Sequence, residues 1–282
     1  MNRSYINRGF IFLSKAATLI CLAILLFLLA RITFNGIAGI DFTFLLSPSK
    51  NFGTEGGILY QITGTLLIIS FAGFIGLPLG LATAIFQSEY IKNPILQKTT
   101  KILIYGLNGV PSIIFGIFGL ILFVNILDTG ISWIIGSVIL SFMILPTIIL
   151  ASYQSIHSIP QSYRENASAL GLNQWQTILS VLIPQGFGGA ITGLLLGLAR
   201  AAGEIAPIMF IATAFSGAEI PRSFFEPVAT LPTHILALAQ QATDPQALQN
   251  AWAASLVLLT LVMILNGLGL YSRIKFNALD LR

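Results

Sequence analysis

Two charged side chains, Arg200 and Glu204, lie in an apolar segment long enough to form a membrane helix. A charge at the centre of a bilayer costs about 2.5–3.5 kcal/mol or more, so such residues usually have a function. Arginine presents a planar fork of N–H donors that suits an oxyanion. Glu204 would hold Arg200 or accept a hydrogen bond from a protonated oxyanion. Phosphate near neutral pH carries such a proton and sulfate does not, so this carboxylate would tolerate phosphate and repel sulfate.

The same two residues also allow a purely structural interpretation. On a helix they would lie about 40° apart, so they could neutralise each other and lock a helix bundle. An i,i+4 pair with arginine first is the less favourable order. The residues alone leave both interpretations open. Three residues on the same face would let a neighbouring helix pack closely: Gly189, Gly193 and Gly197.

The composition indicates an integral membrane protein. Of the 282 residues, 55% are hydrophobic and 9% are charged, and the mean hydropathy is +0.87. A soluble domain carries about 25% charged residues. The single cysteine, Cys21, excludes a disulfide framework and a cysteine metal cluster. The net charge of +4 comes from basic residues beside the apolar runs, so it does not indicate a nucleic-acid surface.

Six mostly apolar segments have about the 20 residues that a membrane helix needs, or more. They are Ala16–Phe34, Ile58–Phe86, Ile102–Leu127, Ile131–Ser152, Phe187–Ala214 and Trp252–Tyr271. The second, third and fifth contain Pro78, Pro111 and Pro207 and are long enough to tilt or break. The sequence therefore predicts an all-α, polytopic bundle of about six transmembrane helices.

The basic residues predict the orientation of this bundle. Ten of the 14 flank the segments on one side: Arg3, Arg8, Lys15, Lys92, Lys98, Lys101, Arg164, Arg273, Lys275 and Arg282. Three flank the other side, namely Arg31, Lys50 and Arg222, and Arg200 lies within a segment. Because lysine and arginine collect in cytoplasmic loops, both termini are predicted to be cytoplasmic. This requires an even number of spans, and six fits.

The cytoplasmic stretch 153–185 carries signals for two short helices. Ser158 and Asn173 each precede a glutamine at the spacing of a capping box. Gly171 stands where the first helix should stop, and Pro184 should end the second before the fifth span. A helical hairpin on this face suits docking to a partner better than passive connection.

This stretch resembles the signature loop of ATP-binding-cassette importer permeases. That signature reads Glu-Ala-Ala, three residues, Gly, nine residues, an aliphatic residue, any residue and Leu-Pro. The sequence has Glu165-Asn-Ala, Gly171 and Val181-Leu-Ile-Pro, and it departs at Asn166 and Ile183. The resemblance implies a MetI-like fold in which the first short helix seats in a groove of an ATPase subunit; an ordinary amphipathic surface helix is the alternative. The residues assigned to this coupling are Tyr163, Arg164, Glu165, Ala167, Leu170 and Gly171.

A second set of motifs is similar to that of phosphate importer permeases. The run Arg200-Ala-Ala-Gly-Glu-Ile-Ala-Pro differs from that family's Arg-Ala-x-Gly-Glu-Thr-Ala-Pro only at Ile205, which lacks the hydroxyl. The Gly-Val-Pro-Ser stretch at 109–112 and the glycines around Ile58 are also similar. The resemblance covers about residues 56–276, favours the A-type of the two permease subunits, and implies that Arg200 and Glu204 serve translocation.

Pro111 and Ser112 in this stretch can also be interpreted from their chemistry alone. Proline removes a donor and bends a helix, and broken helices in transporters expose backbone groups that can contact ions. From the residues alone a plain kink is favoured, with a contribution to the transport pathway as the alternative.

The sequence contains no Gly-x-x-x-x-Gly-Lys-Ser/Thr loop, so the chain is not expected to hydrolyse ATP or to bind a cofactor. His157 and His234 have no cysteine or carboxylate at ligand spacing, so no metal site is predicted. The resemblance implies a multi-pass subunit of the cytoplasmic (inner) membrane. Its implied partners are membrane lipid, a second permease subunit, a cytoplasmic ATPase dimer that uses the ATP, and an extracytoplasmic phosphate-binding protein.

We divide the chain into an N-terminal segment with the first helix and first outer loop (1–57), a permease domain (58–276) and a cytoplasmic tail (277–282). Three alternative functions remain. A permease of the same class could carry molybdate or sulfate. A secondary transporter acting alone would need an inverted repeat and ionisable residues in several spans, and neither is seen. A non-transport scaffold would leave the signature spacing unexplained.

Overall fold

The computed structural model describes residues 3–214, 220–241 and 243–279, and they are almost entirely helical. The α-helices are α1 (Arg3–Ile37), α2 (Phe42–Leu46), α3 (Leu59–Ile85), α4 (Pro94–Asn108), α5 (Ser112–Gly119), α6 (Trp133–Ser158), α7 (Gln161–Ala169), α8 (Gln174–Thr177), α9 (Ile183–Ala202), α10 (Ala206–Ile211), α11 (Leu231–Gln240) and α12 (Pro245–Leu279). The remaining elements are the antiparallel strands β1 (Ser49–Lys50) and β2 (Glu55–Gly56), a 3-10 turn (Asn51–Gly53) and π-helical turns at Phe86–Tyr90, Leu120–Ile126 and Ile178–Leu182. The all-α prediction is confirmed.

Within the described residues, five helical stretches are long and apolar enough to cross a membrane, or six if one bent pair counts as a span. The five are Phe10–Ile37, Leu59–Tyr90, Trp133–Ser158, Gln174–Ala202 and Pro245–Lys275. Several extend beyond the predicted bounds, because hydropathy marks only the part of a helix in hydrocarbon. The polar flanks continue the helix since they keep its backbone groups hydrogen-bonded.

The third predicted span is broken rather than kinked. Its two halves, α4 and α5, meet at an angle of 88°. Gly109 caps the end of α4, and Pro111 stands at the N-cap of α5. Val110 precedes a proline and is therefore disfavoured in helical conformation, so the chain leaves the helix there. The plain kink favoured from the sequence is wrong.

The fifth predicted span also has different ends. The helix starts at Gln174, passes through the π-helical turn at 178–182 and ends at Ala202. The prediction that Pro184 ends the second short helix is wrong, because the π-helical turn shifts the hydrogen-bond register just where proline lacks its donor. After Gly203 the chain breaks again, and α10 follows as a separate short helix.

The first helix of the predicted cytoplasmic hairpin, α7, begins at Gln161 with Pro160 at its N-cap and no side-chain cap. The predicted capping box at Ser158 is wrong because Ser158 is the last residue of α6, where its hydroxyl donates to the Ser155 carbonyl at 2.7 Å. The second box is confirmed: the Asn173 and Gln176 side chains each accept from the other's backbone N–H.

Gly171 terminates α7 as predicted. Its φ of +80° is in the left-handed region that glycine adopts without strain. The N–H of Gly171 donates to the Ser168 carbonyl and that of Leu172 to the Ala167 carbonyl, both at 3.0 Å. These two bonds form a Schellman motif, which satisfies carbonyls that the helix end leaves free.

Helices α3, α6 and α9 pack on one another in the centre, α12 packs on α9, and α1 packs on α12. The core contains Ile68 of α3 and Ile139, Leu140, Ile144 and Ile148 of α6, all almost fully buried. The glycines of α9 face α6. A Cβ on Gly189 would lie 2.2 Å from that of Ser155, and one on Gly193 would lie 2.7 Å from that of Ala151. A Cβ on Gly197 would meet the Ile144 Cβ at 3.1 Å.

This close approach gives a stability prediction. Gly193→Val should destabilise the permease by about 1–3 kcal/mol, because α6 and α9 would have to separate. Gly267→Val on α12 is the matched control, since a Cβ there has nothing within 4 Å. Thermal unfolding of the purified complex measures both. Equal melting temperatures for the two variants would contradict tight packing of α9 on α6.

Candidate functional site

Two helix breaks lie side by side in the bundle. The first separates α4 from α5, and the second separates α9 from α10. The short helices that follow pack together so closely that a Cβ on Gly116 of α5 would lie 2.7 Å from the Cα of Pro207 of α10. Non-helical backbone from two different spans is therefore gathered at one place, as in the broken helices of transporters.

Arg200 joins the two breaks. Its Nη1 donates to Oδ1 of Asn108, the last residue of α4, at 2.9 Å. Its Nε lies 3.6 Å from Oε1 of Glu204. Glu204 lies beyond the end of α9, so the prediction that it shares a helical stripe with Arg200 is wrong, although the two side chains do meet. The break at Gly203 lets the carboxylate reach back to the guanidinium.

The pair is partly accessible rather than sealed in the core. The side chains of Arg200 and Glu204 are 39% and 17% exposed. Arg200 stands in the last turn of α9, where a cation complements the negative end of the helix dipole. Its Nη2 has no partner among the described residues, so the guanidinium keeps N–H donors for a ligand. This arrangement can hold an oxyanion against Arg200 while Glu204 orients the arginine or accepts a hydrogen bond from a protonated oxyanion.

Asn108 is a site residue that sequence reasoning missed. It lies 92 residues before Arg200, and only the fold brings the two together. Its signal is its position directly before the Gly-Val-Pro-Ser stretch, which holds Pro111 and Ser112. The structure places those two residues at the start of α5, next to the break.

The predicted coupling residues divide into two groups. Tyr163 and Leu170 are 47% and 82% exposed, and Glu165 and Gly171 are also exposed. Ala167 is buried, so it packs α7 against the bundle instead of facing outward.

Trp175 of α8, which sequence reasoning passed over, is 60% exposed beside them. An exposed tyrosine, leucine and tryptophan on one short hairpin form an apolar surface suited to a protein partner. Contact with an ATPase stays a prediction.

Arg164 points inward. Its Nη2 and Nε lie 2.9 and 3.4 Å from the two carboxylate oxygens of Glu89, in the π-helical turn that ends the α3 span. Its Nη1 and Nη2 also donate to the carbonyls of Ile159 and Ile156 at 3.0 and 3.3 Å. The Gln174 amide donates to the Glu89 carbonyl at 3.2 Å. One arginine thus fastens α7 to the ends of α3 and α6.

At the opposite end of the bundle, His234 of α11 is packed under Gly53, where a Cβ would lie 2.3 Å from the imidazole Cε1. Its Nδ1 is 3.4 Å from the Gln61 amide nitrogen. Burial lowers the pKa of His234 to about 4, because desolvation disfavours the charged ring. His234 is therefore neutral at physiological pH, and its role here is to pack against the loop at Gly53.

A family model described as "Binding-protein-dependent transport system inner membrane component" matches residues 76–275. The chain belongs to this family. It is a multi-pass inner-membrane permease of a binding-protein-dependent ATP-binding-cassette importer, in which the ATPase is a separate subunit. Members of this family are the non-catalytic membrane component and carry no cofactor.

Two bacterial permease proteins are similar to this chain over most of its length. The probable ABC transporter permease protein YqgI of Bacillus subtilis is 32% identical over 256 residues, 86% of this chain and 87% of that protein. The phosphate transport system permease protein PstA of Yersinia pestis is 32% identical over 264 residues, 92% of this chain and 87% of that protein.

A solved structure shares the fold. The MetNI methionine ABC transporter in an inward-facing conformation matches with a TM-score of 0.57 at 19% identity, covering 77% of this chain and 94% of that chain. The predicted MetI-like fold is confirmed.

Proposed function

We propose that the permease imports inorganic phosphate, as the A-type subunit opposite a second permease subunit. The observation that carries the proposal is the hydrogen bond from Arg200 to Asn108, which places a guanidinium with free donors between two helix breaks. An anion crossing the bilayer needs such a cation, because it loses its hydration there.

Glu204 supports phosphate over other oxyanions. Its carboxylate is 3.6 Å from Arg200 and only 17% exposed, so an anion at Arg200 would lie beside a second negative charge. A protonated phosphate can donate a hydrogen bond to that charge, whereas fully ionised sulfate or molybdate is repelled by it. The likeness to PstA of Yersinia pestis, whose name states phosphate transport, supports the same cargo.

The partners complete the mechanism. A phosphate-binding protein would deliver cargo on the outer side, and an ATPase dimer would seat against α7 within the permease domain of residues 58–276. ATP-driven movement of α7 would reach α3 and α6 through Arg164. The bundle would then open the path at Arg200 alternately to the two sides.

The complete importer, reconstituted in liposomes with its binding protein, tests the cargo. Labelled phosphate should accumulate only with ATP. Excess arsenate should suppress that uptake at least tenfold, because it has the same shape and also keeps a proton at neutral pH. Excess sulfate or molybdate should leave uptake within twofold. Uptake of sulfate or molybdate in place of phosphate would contradict phosphate as the cargo. Uptake without the ATPase would favour a secondary transporter.

A further inference from the structure

A polar cavity lies between α6, α9 and α12, at the end of the bundle that carries most of the basic residues. Its volume is about 270 Å³. Arg273, near the end of the α12 span, forms one wall. Gln154 and Ser155 of α6 and Gln185 of α9 form the others, and none of its lining residues is acidic. The cavity therefore carries a positive charge with several hydrogen-bonding groups beside it.

These polar groups have no side-chain partner within the part of the chain that the structure describes. The side chains of Arg273, Gln154, Ser155 and Gln185 make no hydrogen bond or ion pair with any described residue. The hydroxyl of Ser155 is close to the glycine face of α9, where Gly189 lets the two helices approach. An arginine, two amides and a hydroxyl that converge without internal partners are a set of donors for an external ligand.

The cavity changes character along its length. It is polar near Ser158 and Arg273, and its largest apolar lining side chain is Leu196, about three and a half turns into α9. Polar groups at one end and a leucine at the other would suit the boundary between headgroups and acyl chains in a bilayer. A basic pocket between transmembrane helices at this level suits an anionic headgroup.

We infer that this cavity is a binding site for a phosphate group at the predicted cytoplasmic end of α9, whereas Arg200 lies in the last turn of that helix. Arg273 binds the phosphate oxygens through its planar fork, while Gln154, Ser155 and Gln185 donate further hydrogen bonds. Two sources supply this chemistry, an anionic phospholipid of the inner leaflet or inorganic phosphate from the cytosol. Leu196 gives an acyl chain an apolar surface, which favours the lipid.

The test uses the intact importer without its binding protein, stripped of lipid in detergent. One arm adds phosphatidylglycerol or phosphatidylcholine and counts the lipids retained by native mass spectrometry. The other arm adds labelled inorganic phosphate. We expect Arg273→Gln to reduce retained phosphatidylglycerol about fivefold, which corresponds to about 1 kcal/mol for one basic contact. Gln185→Leu should reduce it as well.

Lys275→Gln is the matched control, because Lys275 is exposed on the same helix end but does not line the cavity. It should change lipid retention less than twofold. If Arg273→Gln loses inorganic phosphate binding but retains phosphatidylglycerol normally, the cavity still binds phosphate, and its ligand is the inorganic phosphate of the cytosol. Equal losses in the Arg273 and Lys275 variants, or no loss of either ligand in Arg273→Gln, would overturn the site.

Discussion

Arg200→Ala should lower phosphate uptake by about 100-fold while the importer still assembles. The variant removes the cation between the two helix breaks and leaves Glu204 without its partner at 3.6 Å. Each hydrogen bond to a charged group is worth about 1.5–3 kcal/mol, so losing one or two from the transport path gives this magnitude. Labelled phosphate uptake, normalised to the complex recovered from the membrane, measures it.

Two companion variants separate transport from packing. Arg200→Lys keeps the charge but loses the fork, and it should retain about a tenth of the uptake. Arg31→Ala is the matched control, since Arg31 is an exposed arginine on α1, which packs on α12 away from the breaks. Normal uptake in an assembled Arg200→Ala complex would show that Arg200 and Glu204 only stabilise the helix packing. Failed assembly of Arg200→Ala would show that Arg200 is needed to hold the complex together. Uptake by Arg200→Lys would then decide whether Arg200 also serves transport.

Hydropathy was sufficient to predict the membrane spans but not the breaks within them. A bilayer forces any apolar segment of about 20 residues into a helix, so span existence follows from local sequence. A proline is ambiguous: Pro184 continues a helix through a π-helical turn, whereas Pro111 begins a new helix after an 88° bend. The outcome depends on packing around each proline, which local sequence does not contain.

The candidate site shows the same division. The charges of Arg200 and Glu204 are visible in the sequence because membrane segments seldom contain charge. Asn108 is an ordinary polar residue, and only its 2.9 Å contact with Arg200 distinguishes it. Likewise the signature spacing locates α7, but it does not reveal that Arg164 turns inward to Glu89 while Trp175 faces out. Side-chain direction on a short helix is set by tertiary contacts.

Removing Arg164 should uncouple ATP hydrolysis from transport. Arg164 holds the carboxylate of Glu89 and two carbonyls at the end of α6, and its side chain is only 19% exposed. Breaking a largely buried pair at one partner costs several kcal/mol. We therefore expect phosphate moved per ATP hydrolysed to fall at least tenfold in Arg164→Ala, because α7 can then move without α3 and α6.

The contacts of Arg164 also predict which variants should lose more phosphate transport per ATP hydrolysed. Glu89→Ala should have a smaller effect than Arg164→Ala, since Arg164 keeps its bonds to the Ile156 and Ile159 carbonyls. The double variant should match Arg164→Ala alone, because the shared interaction is already lost. Ser162→Ala, an exposed change on the same helix, controls for disturbance of α7. A wild-type ratio of transport to hydrolysis in Arg164→Ala, or additive losses in the double variant, would show that force reaches the bundle by another contact.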